Sequence, residues 1–204
     1  MTDDDIIESI LDAVRRIDLG AGWKALGPLV LPTLKRVDHP YPPECAPLLI
    51  QVPPGIWTGF GIDLGPAFTH VTASQLSAWG IDRSTIFATA LDNLRRLSTT
   101  ERPDVQTIAL GETDLLAICG QGWGSALLLV PEVLGPILGP DPMLLMAPVR
   151  NTILAIPEGV GVDVVVGLWQ AVADGAHDEL DVDPVRWTGS AIVALGDQGR
   201  GLPN

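Results

Sequence analysis

Residues 119–157, CGQGWGSALLLVPEVLGPILGPDPMLLMAPVRNTILAIP, decide how this chain folds. A glycine-rich turn at 120–125 leads into a Leu-rich stretch at 125–130 with the spacing of a helical turn. Pro131 then opens a second helix at its first position, where a missing N–H costs nothing. Beyond Pro140-Asp141-Pro142 come two apolar runs, 143–147 and 152–156, of strand rather than helix length. A helix set between strand pairs, instead of strands that each feed a helix, points to an α+β domain and away from a doubly wound parallel sheet.

The flanking sequence agrees. Upstream, 105–110 and 113–119 are apolar runs joined by Gly111-Glu112, the spacing of a tight hairpin. Asp82 caps a helix in which Ile86, Ala90, Leu94 and Leu97 share one face; Arg95 and Arg96 sit toward its carboxyl end and Pro103 stops it. Thr72 and Gln75 form a capping-box pair for a shorter helix ending near Gly80. Runs at 47–52, 56–64 and 68–71 read as strands parted by Pro53-Pro54-Gly55 and Leu64-Gly65-Pro66, and 39–45 is a proline-rich loop.

Earlier still, 23–37 is interrupted by Gly27, Pro28 and Pro32 and is expected to form short helical pieces. Ile6, Ile7, Ile10, Leu11, Val14 and Ile17 recur at helical spacing behind Asp3, Asp4 and Asp5. Downstream, 161–173 is helical by length, 174–183 is an acidic loop, and 185–195 closes as a hairpin around Thr188-Gly189. The expectation is one α+β domain over 1–204 with a mostly antiparallel sheet and helices packed on it. An N-terminal helical segment occupies 1–37 and the sheet-containing body 45–204.

Charge narrows the partners. The 204 residues hold 12 Lys and Arg against 25 Asp and Glu, a net charge of −13. Residues 1–102 carry 9 basic and 12 acidic groups, residues 103–204 only 3 and 13. Nucleic-acid binding needs clustered Lys and Arg to displace counterions, so it is not expected, nor is adhesion to an anionic membrane. The same field would steer in a basic protein partner, and it keeps an apolar chain soluble. With 47% hydrophobic and 18% charged residues, apolar surface is left over for a second copy, so a homo-oligomer is expected.

The N-terminus opens acidic, unlike a secretory or transit peptide, and no apolar run approaches the ~20 residues of a membrane span. Cys45 and Cys119 form neither a disulfide framework nor a cysteine metal site and suit a reducing cytoplasm. No cofactor motif is present, and the HDELDVD run at 177–183 lacks the glycine and terminal glutamate of a calcium loop; no metal site and no cofactor are expected.

Four residues are candidates for a ligand site: Arg150, Asn151, Gln121 and His70. Arg150, in the arginine-poor half, has the planar fork that clamps a carboxylate or phosphate, or it pairs with Glu112, Asp114 or Glu158 within the fold. Asn151 is a turn residue or a ligand amide. The turn carrying Gln121 offers backbone donors to an anion but lacks the lysine of a phosphate loop and the spacing of a dinucleotide fingerprint; its bland reading is a capped turn with Ser125 as N-cap. His70, with Asp63 on the preceding strand, has the makings of a base and its orienting acid, yet no nucleophile elbow accompanies it and Cys119 has no local base. Trp57 and Trp123, flanked by prolines and glycines, are the tryptophans expected at a partner surface.

The segments VTASQLSAWGIDRSTIFATALDNLRR (71–96), GQGWGSALLLVPEVL (120–134) and MAPVRNTILAIPEG (146–159), with the hairpin between the first two, carry a resemblance. Together they resemble the YtpQ-like bacterial family, a domain of unknown function, over about 71–159, with an echo in VRWTGSAIVAL at 185–195. Pro148 and Arg150 match its Pro-x-Arg-Asp strand start, and Asn151 stands where that pattern has an acid. The resemblance implies a cytoplasmic bacterial protein and brings no established activity.

Two functional readings follow. The first is a non-catalytic interaction or regulatory module, in which Trp57 and Trp123 supply affinity and the acidic half steers a basic partner. The second is a binder of small anionic ligands, or an enzyme, using Arg150 and Asn151 with His70 or Glu112. They differ in geometry: a ligand site needs Arg150, Asn151, His70 and Gln121 to converge in one cleft. No motif fixes a reaction.

Overall fold

Apolar runs of strand length need partners for their backbone groups, and here they pair into two antiparallel sheets. The computed structural model describes residues 8, 12, 18, 20–35, 46–63, 68–111, 113–174, 180 and 182–195. In chain order these give α1 (Trp23–Leu26), a 3-10 turn (Gly27–Leu29), β1 (Val30–Leu34), β2 (Ile50–Val52), β3 (Ile56–Asp63), β4 (Phe68–His70), α2 (Ala73–Trp79) and α3 (Arg83–Thr100). The hairpin β5 (Asp104–Leu110) and β6 (Thr113–Cys119) follows, then a 3-10 segment (Gly124–Leu129) and α4 (Pro131–Leu138). The chain continues through β7 (Met143–Val149), β8 (Thr152–Pro157), α5 (Val162–Ala173), β9 (Val185–Trp187) and β10 (Ile192–Ala194).

The fold is α+β, as expected, but its strands divide into two sheets. In the four-stranded sheet β3 is central: Ile62 pairs with Val30 of β1 on one side and Thr69 of β4 on the other, and Thr58 likewise joins Leu34 to Ile50 of β2. The six-stranded sheet runs β10-β9-β7-β8-β6-β5, leaving β5 at one edge. Both capping expectations hold. Thr72 Oγ1 accepts from the Gln75 amide while Gln75 Oε1 accepts from the Thr72 amide, and Asp82 Oδ1 accepts from the Thr85 amide at 2.7 Å. Among the described residues no helix is long and apolar enough to cross a membrane.

One expectation fails at 23–37. Helical structure stops at Leu29, and Val30–Leu34 is a strand buried throughout, so the N-terminal segment is not helical to 37. Proline is excluded from central strands but tolerated at an edge, and β1 is an edge strand, so Pro32 does not break it. The amphipathic helix of 6–17 lies outside the described residues except at Glu8 and Asp12, as do His39, Cys45, Glu112 and His177.

The largest core cluster joins the sheets: Leu34 and Ile56 of the first meet Ile118, Leu145 and Ile153 of the second, with Leu127 of the 3-10 segment among them. A second cluster holds Phe60 and Ile62 against Ile86 and Ala90 of α3, and α5 covers the far face of the larger sheet. At the start of β1 the buried Asn93 of α3 donates from Nδ2 to the carbonyls of Gly27 and Val30, both at 2.8 Å. The Gly27 carbonyl also accepts from the Val30 amide, so removing the donor strands chiefly the Val30 carbonyl, and Asn93→Ala is expected to lower the unfolding free energy by about 1–3 kcal/mol in urea titration.

Candidate functional site

The site rests on the alternation of β3, Thr58-Gly59-Phe60-Gly61-Ile62. Phe60 and Ile62 point into the cluster under α3, so Gly59 and Gly61 fall on the opposite face and leave it bare. Other residues lie on that bare face. A Cβ at Gly59 would stand 3.0 Å from Lys35 Cγ, and one at Gly61 would overlap the Phe68 ring and the Thr69 carbonyl. Lys35, one residue past β1, and Phe68 therefore lie flat against the strand.

Lys35 is only 7% exposed, and its Nζ is 3.1 Å from His70 Nε2. When the ammonium donates, Nε2 accepts, which puts the ring proton on Nδ1. The Phe68 and His70 rings meet edge to face at 5.9 Å, and the Arg150 guanidinium sits over Phe68, 5.3 Å from its centroid. Burial, and then the nearby charge of Arg150, bring the Lys35 pKa down from 10.5 to about 8.

Two cations thus share one partly buried place. Among the residues whose side chains are described, a set that includes neither Asp63 nor Glu112, no carboxylate lies within ion-pair distance of either, and Arg150 Nε is buried with no hydrogen-bond partner. Of the three acids expected to pair with Arg150, Glu158 is engaged elsewhere, gripped by Arg186 through Nε and Nη2 with Nη2 to Oε2 at 2.9 Å; Asp114 makes no ion pair with it, and Glu112 lies outside the described residues.

The glycine-rich turn fixes Arg150 from behind. Arg150 and Asn151 form the β7–β8 turn; the Arg150 carbonyl accepts from the Ser125 amide at 3.0 Å and the Asn151 carbonyl from the Gly120 amide at 2.9 Å. Gly124 packs so closely on the Asn151 carbonyl that a Cβ there would overlap it. Ser125 is not an N-cap: Trp123 holds that position, and the Ser125 hydroxyl is buried without a partner. The Gly120 and Ser125 amides are spent on the neighbouring turn and those of Trp123 and Gly124 on the Gly120 carbonyl, so the segment acts as a clamp that positions Arg150.

The four ligand candidates therefore part into two places. His70 and Arg150 meet through Phe68, whereas Gln121 and Asn151 line a separate cavity of about 600 Å³ with Glu101, Arg102, Asp104 and Cys119. They do not converge in one cleft. The register sets Asp63 opposite Phe68 and His70 opposite Gly61.

The tryptophans also separate. Trp57 is half-buried beside a cavity of about 310 Å³ shared with Lys35, Asp183 and Val185. Trp123 is 3% exposed and belongs to the main core, which corrects the expectation of a surface residue. Its ring folds back over Gly120, so the small neighbours make room to bury the indole.

Lys35 is the site residue that sequence reading missed. The signal lay in two places: a lysine ending an apolar run, and glycines two apart in a strand, which expose backbone for something else to cover.

Comparison of the chain with protein-family models, curated proteins and solved structures gives no match, so the YtpQ-like resemblance rests on its motifs alone. Fold and site together define an α+β protein of two antiparallel sheets with a cationic cluster where they meet.

Proposed function

We propose that the protein binds a small anion through Lys35 and Arg150, with His70 orienting the lysine and Phe68 supporting the guanidinium. One observation carries the reading: a lysine only 7% exposed stands close enough to an arginine to feel its charge, and no carboxylate whose side chain is described pairs with either. Uncompensated charge at low exposure is costly, and natural proteins pair it. A carboxylate or phosphate supplies the missing charge, and the guanidinium fork and the ammonium are the groups suited to it. The protein's −13 charge does not forbid this, because at physiological salt its field decays over ~8 Å while the two cations act at contact.

The test is calorimetric titration with inorganic phosphate and with acetate. Lys35→Met and Arg150→Gln are each expected to weaken binding at least about tenfold, the worth of one charge-assisted hydrogen bond. The ligand-free Lys35→Met protein should be as stable as the parent or more so, since a buried charge has gone. Binding that neither substitution changes would refute the site.

The pH dependence has a definite sign. Folded Lys35 releases its proton at about 8, whereas the unfolded chain holds it to 10.5. Between those values the unfolded state binds more protons, so ligand-free stability rises with pH, while anion affinity falls as pH passes 8.

A module drawn to a basic partner rests on charge and on Trp57, since Trp123, the other of its two anchors, lies in the core. We infer a cytoplasmic location from the free thiol of Cys119 and the acidic composition.

A further inference from the structure

We infer that the protein forms a two-fold symmetric dimer by pairing β5 with β5 of a second copy, fusing two six-stranded sheets into one. β5 ends the sheet order, and among the described residues no backbone hydrogen bond reaches its outer edge from elsewhere. Six of its seven residues are exposed, among them Val105 at 42% and Ile108 at 40%. Free edges are normally blunted by an inward charge, an internal proline, a bulge or a covering segment. Among the described residues β5 has none of these: its pairing with β6 is regular from Asp104↔Cys119 to Leu110↔Thr113, and Asp104 at its end is its sole charge.

The sequence of the strand selects its own copy as occupant. Antiparallel pairing about Thr107, the central residue, sets Thr107 against Thr107, Val105 against Ala109, Gln106 against Ile108 and Asp104 against Leu110. Threonines pair well across strands, and the two Ile108 side chains fall on one face at a diagonal. The two Asp104 carboxylates are kept ~20 Å apart along the strand, whereas parallel pairing would set them side by side. A basic peptide would meet a strand with a single terminal acid and gain little from charge.

A contact of this size buries less than the ~1,600 Å² of a standard interface, so the dimer should be reversible, with micromolar dissociation. Each monomer carries −13, so added salt should strengthen it by screening the repulsion, the reverse of an interface built on ion pairs.

Sedimentation velocity of the full chain against concentration, at low and high salt, tests this. The parent should pass from monomer to dimer, and Thr107→Lys, which sets like charges opposite each other, should raise the dissociation constant at least about tenfold. Thr107→Val should dimerise at least as tightly. Should Thr107→Lys lose its near-ultraviolet circular dichroism, Ile108→Lys provides the same comparison at another exposed position. A parent still monomeric at roughly 0.5 mM, a dimer indifferent to either lysine, or a dimer weakened by salt would each overturn the assignment.

Discussion

Gly124→Ala is expected to cost about 3 kcal/mol of stability, the upper end for an overpacked site and a large part of the roughly 5–15 kcal/mol that holds a domain folded. The added methyl would overlap the backbone carbonyl of Asn151, and backbone cannot rotate aside as the end of a side chain can. Relieving the overlap means separating two turns held together by Gly120–Asn151 and Ser125–Arg150 hydrogen bonds, in a place where Trp123, Leu127 and Ile153 share the core. Thermal and urea unfolding would measure the loss, and tryptophan fluorescence would follow the exposure of Trp123. Alanine at Gly122, where a Cβ meets nothing within 4 Å, is the comparison; its strain is limited to φ +72°. Equal effects at the two glycines would refute the close-approach account.

Gly61→Ala should be nearly as damaging, about 2–3 kcal/mol, and should also remove anion binding. Its Cβ would overlap both the Phe68 ring and the Thr69 carbonyl, so β4 must shift or the ring must leave the strand. Either movement takes away the surface that carries the Arg150 guanidinium. Gly59→Ala makes the contrasting case, since its Cβ would meet Lys35 Cγ at 3.0 Å and a flexible side chain can give way by a few tenths of an ångström. Calorimetry should find Gly59→Ala binding more weakly but measurably, and Gly61→Ala not binding at all. Unimpaired binding by Gly61→Ala would show that the Phe68 platform is irrelevant to the anion.

Local signals in the sequence carried well. The Thr72–Gln75 capping box, the Asp82 cap and the hairpin around Gly111 each involve neighbours a few residues apart, and each stands where their spacing put it. Strand identity failed where it hung on a distant partner. Val30–Leu34 with Pro32 inside reads as broken helix until β3 is known to pair with one of its edges only. The expected single sheet became two for the same reason, since β3 and β6 are both largely apolar and nothing local says which strands each will join. The site was half legible. Arg150 and His70 stood out as polar groups in apolar settings, but the bare face that gathers them depends on the register that sets Gly61 opposite His70. Lys35, 35 residues before His70 and 115 before Arg150, had no local mark of its place.

The cluster is assembled from both sheets: Lys35 and His70 belong with the four-stranded one, and Arg150 arrives on the β7–β8 turn of the other. The lysine's proton affinity depends partly on the guanidinium across that seam. Sliding one sheet away from the other would dilute the repulsion and let the ammonium hold its proton more firmly, while drawing them together would do the reverse. The titration of Lys35 thus answers first to its own burial and then to a charge carried by the other sheet, so a change at the seam would be felt by a proton on one side of it.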